Sequence, residues 1–400
     1  MMIETDAGNG GTLSAQLLHM RFGYFQKYIL NSGWQPIFNY QANNPGRKMT
    51  DRATLLNSIA SNIQTYRTGE LPTPTSAHVD RWVSQFAPND QLPILEALDP
   101  LMQACFVTKQ NVEDFLRGLV ANVALAGQNP AAFWQSANFL RVQHNGNSQN
   151  EMLALLEQQL VSAYGMTLNQ CGSPNGVYIY LDDILCTGNR VTSDLETWIG
   201  NDAPNSAILH VILLITHSGS SYHMREKRIP AIIKNSGKNI KIHYWHMLST
   251  ENTKYYKNTS EVFWPVGLPA DPATQQYANQ PPFPFEARIP VQHNSRVFST
   301  EGGRQVLERA FLEAGMKIRS QQANPSPILK PLGYGGFNIG FGCVFTTYRN
   351  CPNNAPLALW WGNGDANGPL QWYPLLSRNT YAHSPQVHPT PANGVRFWQP

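Results

Sequence analysis

The stretch VYIYLDDILCTGNRVTSDLETWI, residues 177–199, decides the fold. An apolar run, VYIYL, closes on two adjacent aspartates. A small polar loop, Cys186–Arg190, leads into VTSDLETWIG (191–200), whose apolar positions are spaced for a helix. The same order recurs downstream. AILHVILLITH (207–217) reads as a second strand, SYHMREKRIPAIIKNSG as a helical stretch disturbed by Pro230, and IKIHYWHM (240–247) as a third strand. Strand–helix–strand alternation with apolar strands fits a parallel sheet covered on both faces. The expected fold class is α/β, with a mostly parallel, Rossmann-like sheet.

Upstream the pattern differs. LLHMRFGYFQKYIL, DRATLLNSIASNIQTY, AHVDRWVSQF, LPILEALDPLMQACF and KQNVEDFLRGLVANVALA carry apolar residues three and four apart, so residues 1–135 read as a helical region. Residues 136–320 hold the α/β pattern and close on a clear amphipathic helix, EGGRQVLERAFLEAGMKIRS (301–320). Within them, 262–300 is an irregular excursion whose WPVGLP and PPFPF carry groups worth burying. Residues 321–400 form an irregular, aromatic-rich extension expected to pack on the α/β part. In it, YGGFNIGFGCVFTTY is expected to give one or two short strands.

Composition excludes several classes. With 400 residues, 17 Phe, 16 Tyr and 10 Trp, the chain can build a large core despite only 14% charged residues. The formal charge of +3 comes from 29 basic and 26 acidic residues, too balanced to imply a nucleic-acid binder. Five cysteines without a CxxC pair, and no basic stretch leading into an apolar N-terminal segment, suit a reducing, cytoplasmic setting. The longest apolar run, AILHVILLI, is too short to span a bilayer, so no membrane association is expected.

The chemistry centres on the opening stretch. In an open parallel sheet, ligands sit beyond the C-terminal ends of the strands. Asp182 and Asp183 would lie at such an end, where neighbouring carboxylates can accept hydrogen bonds from vicinal hydroxyls. They can also favour a divalent cation that relieves their repulsion, which makes both candidate ligands for Mg2+. Backbone N–H groups of Cys186, Thr187, Gly188, Asn189 and Arg190, with the Thr187 hydroxyl, can cradle a phosphate at the helix N-terminus. The plain alternative is a capping pair followed by an ordinary TG turn.

The ordered combination resembles the type I phosphoribosyltransferase fold, whose usual form is an apolar strand followed by D-D-apolar-apolar-T-T-G-x-T. The resemblance implies that Asp182 and Asp183 hold a ribose and that Thr187, Gly188 and Asn189 hold its 5′-phosphate. Cys186 replaces the usual Thr or Ser, and Arg190 replaces the final Thr. Arg190 can add a bidentate anion contact, fill the site or face solvent. A second likeness joins this loop to N-x-P-N-N-x-x-P-x-x-W-W far downstream, here Asn350, Pro352, Asn353, Asn354, Pro356, Trp360 and Trp361. That pairing is similar to phosphoribosyltransferase-like proteins of prokaryotic conflict and antiviral systems. It implies a nucleotide-processing or nucleotide-binding effector, with a phosphorylated ribose or nucleotide as ligand. It also implies defence-system partners, such as a reverse transcriptase with its RNA, and self-association. The non-catalytic alternative is a nucleotide sensor or an assembly subunit.

Other segments leave alternatives open. In FLRVQHNGNSQNEMLALL (139–156) a short strand, FLRV, would lead through HNGNSQ to a helix, and Asn147, Ser148 and Gln149 are offered as an anion-binding turn, with Arg141 and His144 nearby. NGN is equally a plain turn. His217, after the strand AILHVILLITH, is a candidate contact for base or pyrophosphate, or a satisfied structural histidine. The two His of HYWH (243–246) would face opposite sides of a strand and make a poor metal pair. Trp360–Trp361 can stack on a base or bury a seam.

Overall fold

A computed structural model of the chain describes residues 51–143, 148–292, 295–362 and 371–378. The expected helix LLHMRFGYFQKYIL lies outside these residues. The helical region supplies α1 (Arg52–Asn62), α2 (Ser76–Val83), α3 (Pro88–Cys105), α4 (Lys109–Val120), α5 (Val123–Ala126) and α6 (Pro130–Ser136). Their starts are locally encoded. Asp51, Thr75, Thr108, Asn122 and Asn129 each accept a first-turn backbone N–H at the N-cap of α1, α2, α4, α5 and α6.

The main sheet has four parallel strands in the order β2 (Asn138–Phe139), β3 (Tyr178–Leu185), β4 (Ser206–His217) and β5 (Asn239–Thr250). The crossover segments carry α7 (Ser148–Tyr164), α8 (Asn189–Asn201), and the pair α9 (Ser218–His223) and α10 (Ile229–Ser236). A π-helical turn, Met224–Arg228, joins α9 to α10. Side chains alternate across the sheet. Ile179, Leu181, Ile212 and Leu214 pack into the core that includes α7 and the helical region. Tyr180, Leu209, Val211 and Leu213 pack with Leu195 and Trp198 of α8 and Ile229 of α10. Both faces are buried, which explains why the strands read as apolar runs.

Two boundaries differ from the sequence reading. The expected strand FLRV shrinks to Asn138–Phe139, because only those residues pair with Tyr178 and Ile179. β3 does not stop at the acidic pair. Its pairing with β4 runs on through Asp182↔Leu213 to Leu185↔Thr216, so ladder hydrogen bonding outweighs the low strand preference of aspartate.

The chain then makes the irregular excursion, which includes α11 (Pro272–Ala278), before α12 (Glu301–Ser320). Trp264 and Pro265 of WPVGLP are buried, with Val262 and Phe263 just before them, whereas in PPFPF only Phe283 and Phe285 are half-buried and the prolines are exposed. The excursion is fastened by a buried charge cluster. Glu308 of α12 accepts from Arg288 Nη2 at 2.8 Å, from Arg304 Nε at 2.7 Å and from the Trp264 backbone N–H at 2.9 Å. In the extension, only Thr346–Thr347 of the glycine-rich stretch forms a strand, β6. It pairs in parallel with β1 (Phe106–Val107) and joins the helical region to the extension. The last helix among the described residues is α13 (Leu357–Trp360). No helix among the described residues is long and apolar enough to cross a membrane.

Candidate ribose-phosphate site

The register Leu185↔Thr216 and His217↔Thr250 brings the ends of β3, β4 and β5 level. A cavity of about 320 Å³ opens beside the end of β3. One wall is Asp182–Val191 with Ser148 of α7. The other belongs to the extension and includes Tyr334, Arg349, the run Asn350–Asn354, and Arg378. The acidic pair and the loop, near positions 182–190, therefore meet the NxPNN motif at 350–354 across one space.

The loop is built to leave donors free. Gly188 is the N-cap of α8, with φ of 75°, a left-handed conformation glycine adopts without strain. It provides no side-chain cap, so the first-turn N–H groups of α8 keep no intrahelical or side-chain partner. They lie on the cavity wall with the positive end of the helix dipole behind them. Gly335 of the extension presses against the loop. A Cβ there would come within 2.6 Å of Thr187 Cγ2. Asn189 and Arg190 are exposed, and Asn189 Oδ1 accepts from Arg228 at 2.8 Å.

The two carboxylates have different surroundings. Asp182 is 3% exposed. The Tyr180 hydroxyl lies 3.3 Å from its Oδ2 and 2.9 Å from Asp194 Oδ2, and its single proton can serve only one of them at a time. Asp182 Oδ1 is buried and has no hydrogen-bond partner. The neighbouring Ser148 hydroxyl is 3.1 Å from Gln143 Oε1 and also interacts with the Asp182 carboxyl, so its one proton is shared between two acceptors. Burial, then the charge of Asp183, pushes the Asp182 carboxyl up to about 6. Asp183 instead pairs with Arg349 Nη1 at 3.0 Å, and the same guanidinium contacts Glu151 of α7. Asp182 and Asp183 both line the cavity. With Arg349 on one of them, they do not form a joint oxygen cage of the kind Mg2+ takes.

Of the anion-turn candidates, Ser148 reaches the cavity. Gln149 is buried, and its Oε1 accepts from the Val142 and Gln143 backbone N–H groups. Asn147 and His144 lie outside the described residues. His217 is not on the cavity wall. It is fully buried beneath the loop, with Nδ1 2.8 Å from the Leu185 carbonyl oxygen. Around it, donor atoms of Cys186, His217 and Cys343 lie within 4.8 Å of one another, a potential metal-binding triad that is not specific for Mg2+. Burial pushes the Cys186 thiol up. At Cys343, the neighbouring Cys186 and His217 outweigh burial and hold the thiol down. The tandem tryptophans favour the seam. Trp360 is 7% exposed, and its Nε1 donates to the Ala355 carbonyl.

A parallel sheet with a phosphate-type loop after an acidic strand defines a phosphoribosyltransferase-like α/β protein. A family model agrees. It matches residues 79–378, and the chain belongs to the PRTase-CE family. Searches of curated proteins and of solved structures return no match.

Sequence reasoning missed Arg349, Tyr334 and Arg378 as cavity residues. The only signal near Arg349 and Arg378 was the NxPNN motif between them. It also missed Cys343, which no local spacing connects to Cys186.

Proposed function

We propose that the cavity binds a 5-phosphoribosyl compound. The 5′-phosphate sits on the loop Cys186–Arg190 and the first turn of α8, and the ribose hydroxyls face Asp182 and Asp183. The observation that carries this reading is Asp182 Oδ1, a buried acceptor with no partner, on the same cavity wall as an uncapped helix N-terminus. A ribose hydroxyl would satisfy the oxygen, and a phosphate would satisfy the N–H groups. If the site is catalytic, the reaction is substitution at ribose C1′ through an oxocarbenium-like state. The chain would contribute by orienting the sugar and placing negative charge beside it, without a covalent nucleophile. Any Mg2+ would arrive with a polyphosphate group and is assigned no protein ligands. In keeping with the resemblance, the activity would serve antiviral defence, with a protein or reverse transcriptase–RNA partner.

A second reading, a nucleotide sensor without turnover, is favoured by one contact. Arg349 already occupies Asp183, so a ligand must compete with an ion pair supplied by the extension. Calorimetric titration with ribose 5-phosphate, alongside assay of pyrophosphate release from 5-phosphoribosyl pyrophosphate, separates the two. Binding with turnover, both lost in Asp182→Asn/Asp183→Asn, supports the enzyme. Binding without turnover supports the sensor. No binding of either compound by the intact chain would sink both.

A further inference from the structure

The buried group beneath the loop has a different chemistry from the cavity. Cys186 is 5% exposed, and His217 and Cys343 are both 0% exposed. They come from three separate parts of the chain: the phosphate-type loop, the end of β4, and the extension just before β6. A backbone carbonyl can only accept, so the 2.8 Å contact with Leu185 O places the His217 proton on Nδ1. Nε2 then carries a lone pair. It is buried and makes no hydrogen bond. A ring N–H donated to a backbone carbonyl, with the other nitrogen left as a lone pair, is the usual arrangement of a metal-ligating histidine, and the ring interacts with the Cys343 thiol. Two thiolates and a neutral imidazole suit a borderline ion, not Mg2+ or Ca2+.

We propose that Cys186 Sγ, His217 Nε2 and Cys343 Sγ bind one Zn2+, which fastens the phosphate-type loop to the sheet and to the extension. No further His, Cys, Asp or Glu among the described residues joins the group, so a water or solute completes the four-coordinate shell. The consequence is mechanical. Cys186 belongs to the cavity wall, and Cys343 is followed closely by Arg349, the partner of Asp183. Binding the ion therefore fixes both walls of the cavity relative to each other.

The test uses the full chain with no polyhistidine tag, purified under reducing conditions. Elemental analysis should find about one zinc per chain, as four-coordinate protein sites predict. Replacing zinc with Co2+ should give thiolate-to-cobalt charge-transfer absorption and the visible bands of tetrahedral cobalt. His217→Ala and Cys343→Ser should each lose the metal, while Cys105→Ser, at a buried cysteine outside the group, should keep it. Because those losses could follow misfolding, the cobalt spectrum of the unaltered chain is the deciding readout. An unaltered, folded chain that purifies without zinc and takes up neither zinc nor cobalt overturns the proposal. So does cobalt bound without thiolate charge transfer, or a Cys186–Cys343 disulfide found by mass spectrometry in the native chain.

Discussion

Replacing Arg349 with methionine keeps the aliphatic bulk of the side chain and removes its charge. The guanidinium is 8% exposed and lies 3.0 Å from Asp183 Oδ2. At an effective dielectric of about 20, charges centred about 4 Å apart attract by about 4 kcal/mol, and desolvation takes back much of that. The carboxylates are less enclosed, with side-chain exposures of 22% for Asp183 and 39% for Glu151. Once unpaired, they can draw on water. The coupling of the Arg349–Asp183 contact should therefore fall between that of an exposed pair, about 0.5 kcal/mol, and the cost of leaving a sealed charge unpaired, about 3–5 kcal/mol. We expect about 2 kcal/mol. The measurement is a double-mutant cycle of Arg349→Met with Asp183→Asn, read by urea unfolding. Asp183→Asn alone leaves Arg349 with Glu151 as its remaining carboxylate and should cost more than the same change made on top of Arg349→Met. A coupling under about 0.5 kcal/mol would show that the extension does not restrain the acidic pair, and the competition assigned to Arg349 would be withdrawn.

Other outcomes follow from the same geometry. Glu308→Gln leaves the buried Arg288 and Arg304 guanidiniums without their shared counter-charge. It should destabilise the chain by about 3–5 kcal/mol in denaturant titration. Gly335→Ala, at φ of 94° and with its new Cβ 2.6 Å from Thr187 Cγ2, should displace the loop. It should weaken ribose 5-phosphate on the order of tenfold by calorimetry, with the helical circular dichroism unchanged. Burial, helped by His243 and Arg225 respectively, brings His210 and His246 down from 6.5 to about 4. The unfolded chain then takes up protons first as pH falls through 6.5. Stability from these neutral rings is full above that pH and is lost towards pH 4, costing about 2 kcal/mol per ring by pH 5. Thermal midpoints at pH 7.5 and pH 5 should differ accordingly, and His210→Phe should reduce the difference.

The sheet was legible because buried parallel strands write themselves as apolar runs. AILHVILLITH reads directly as Ser206–His217, and EGGRQVLERAFLEAGMKIRS matches α12 residue for residue. The loop was legible because acidic strand end, glycine and helix start are consecutive. The opposite wall was not. Nothing near Arg349 states that it turns back onto Asp183, since long-range pairing leaves no periodicity. The same holds for Cys343, which lies 126 residues from His217 and still shares its buried group. The extent of β3 was misjudged for a related reason. Aspartates argue against a strand locally, while the β4 ladder that keeps them in one forms only once the sheet is assembled.

A crystal structure of the chain soaked with ribose 5-phosphate tests the central claim most directly. The account predicts phosphate oxygens on the N–H groups of the loop Cys186–Arg190 and the first turn of α8, with a ribose hydroxyl donating to Asp182 Oδ1. A sugar phosphate bound elsewhere, or a cavity that stays empty at saturating ligand, would contradict it.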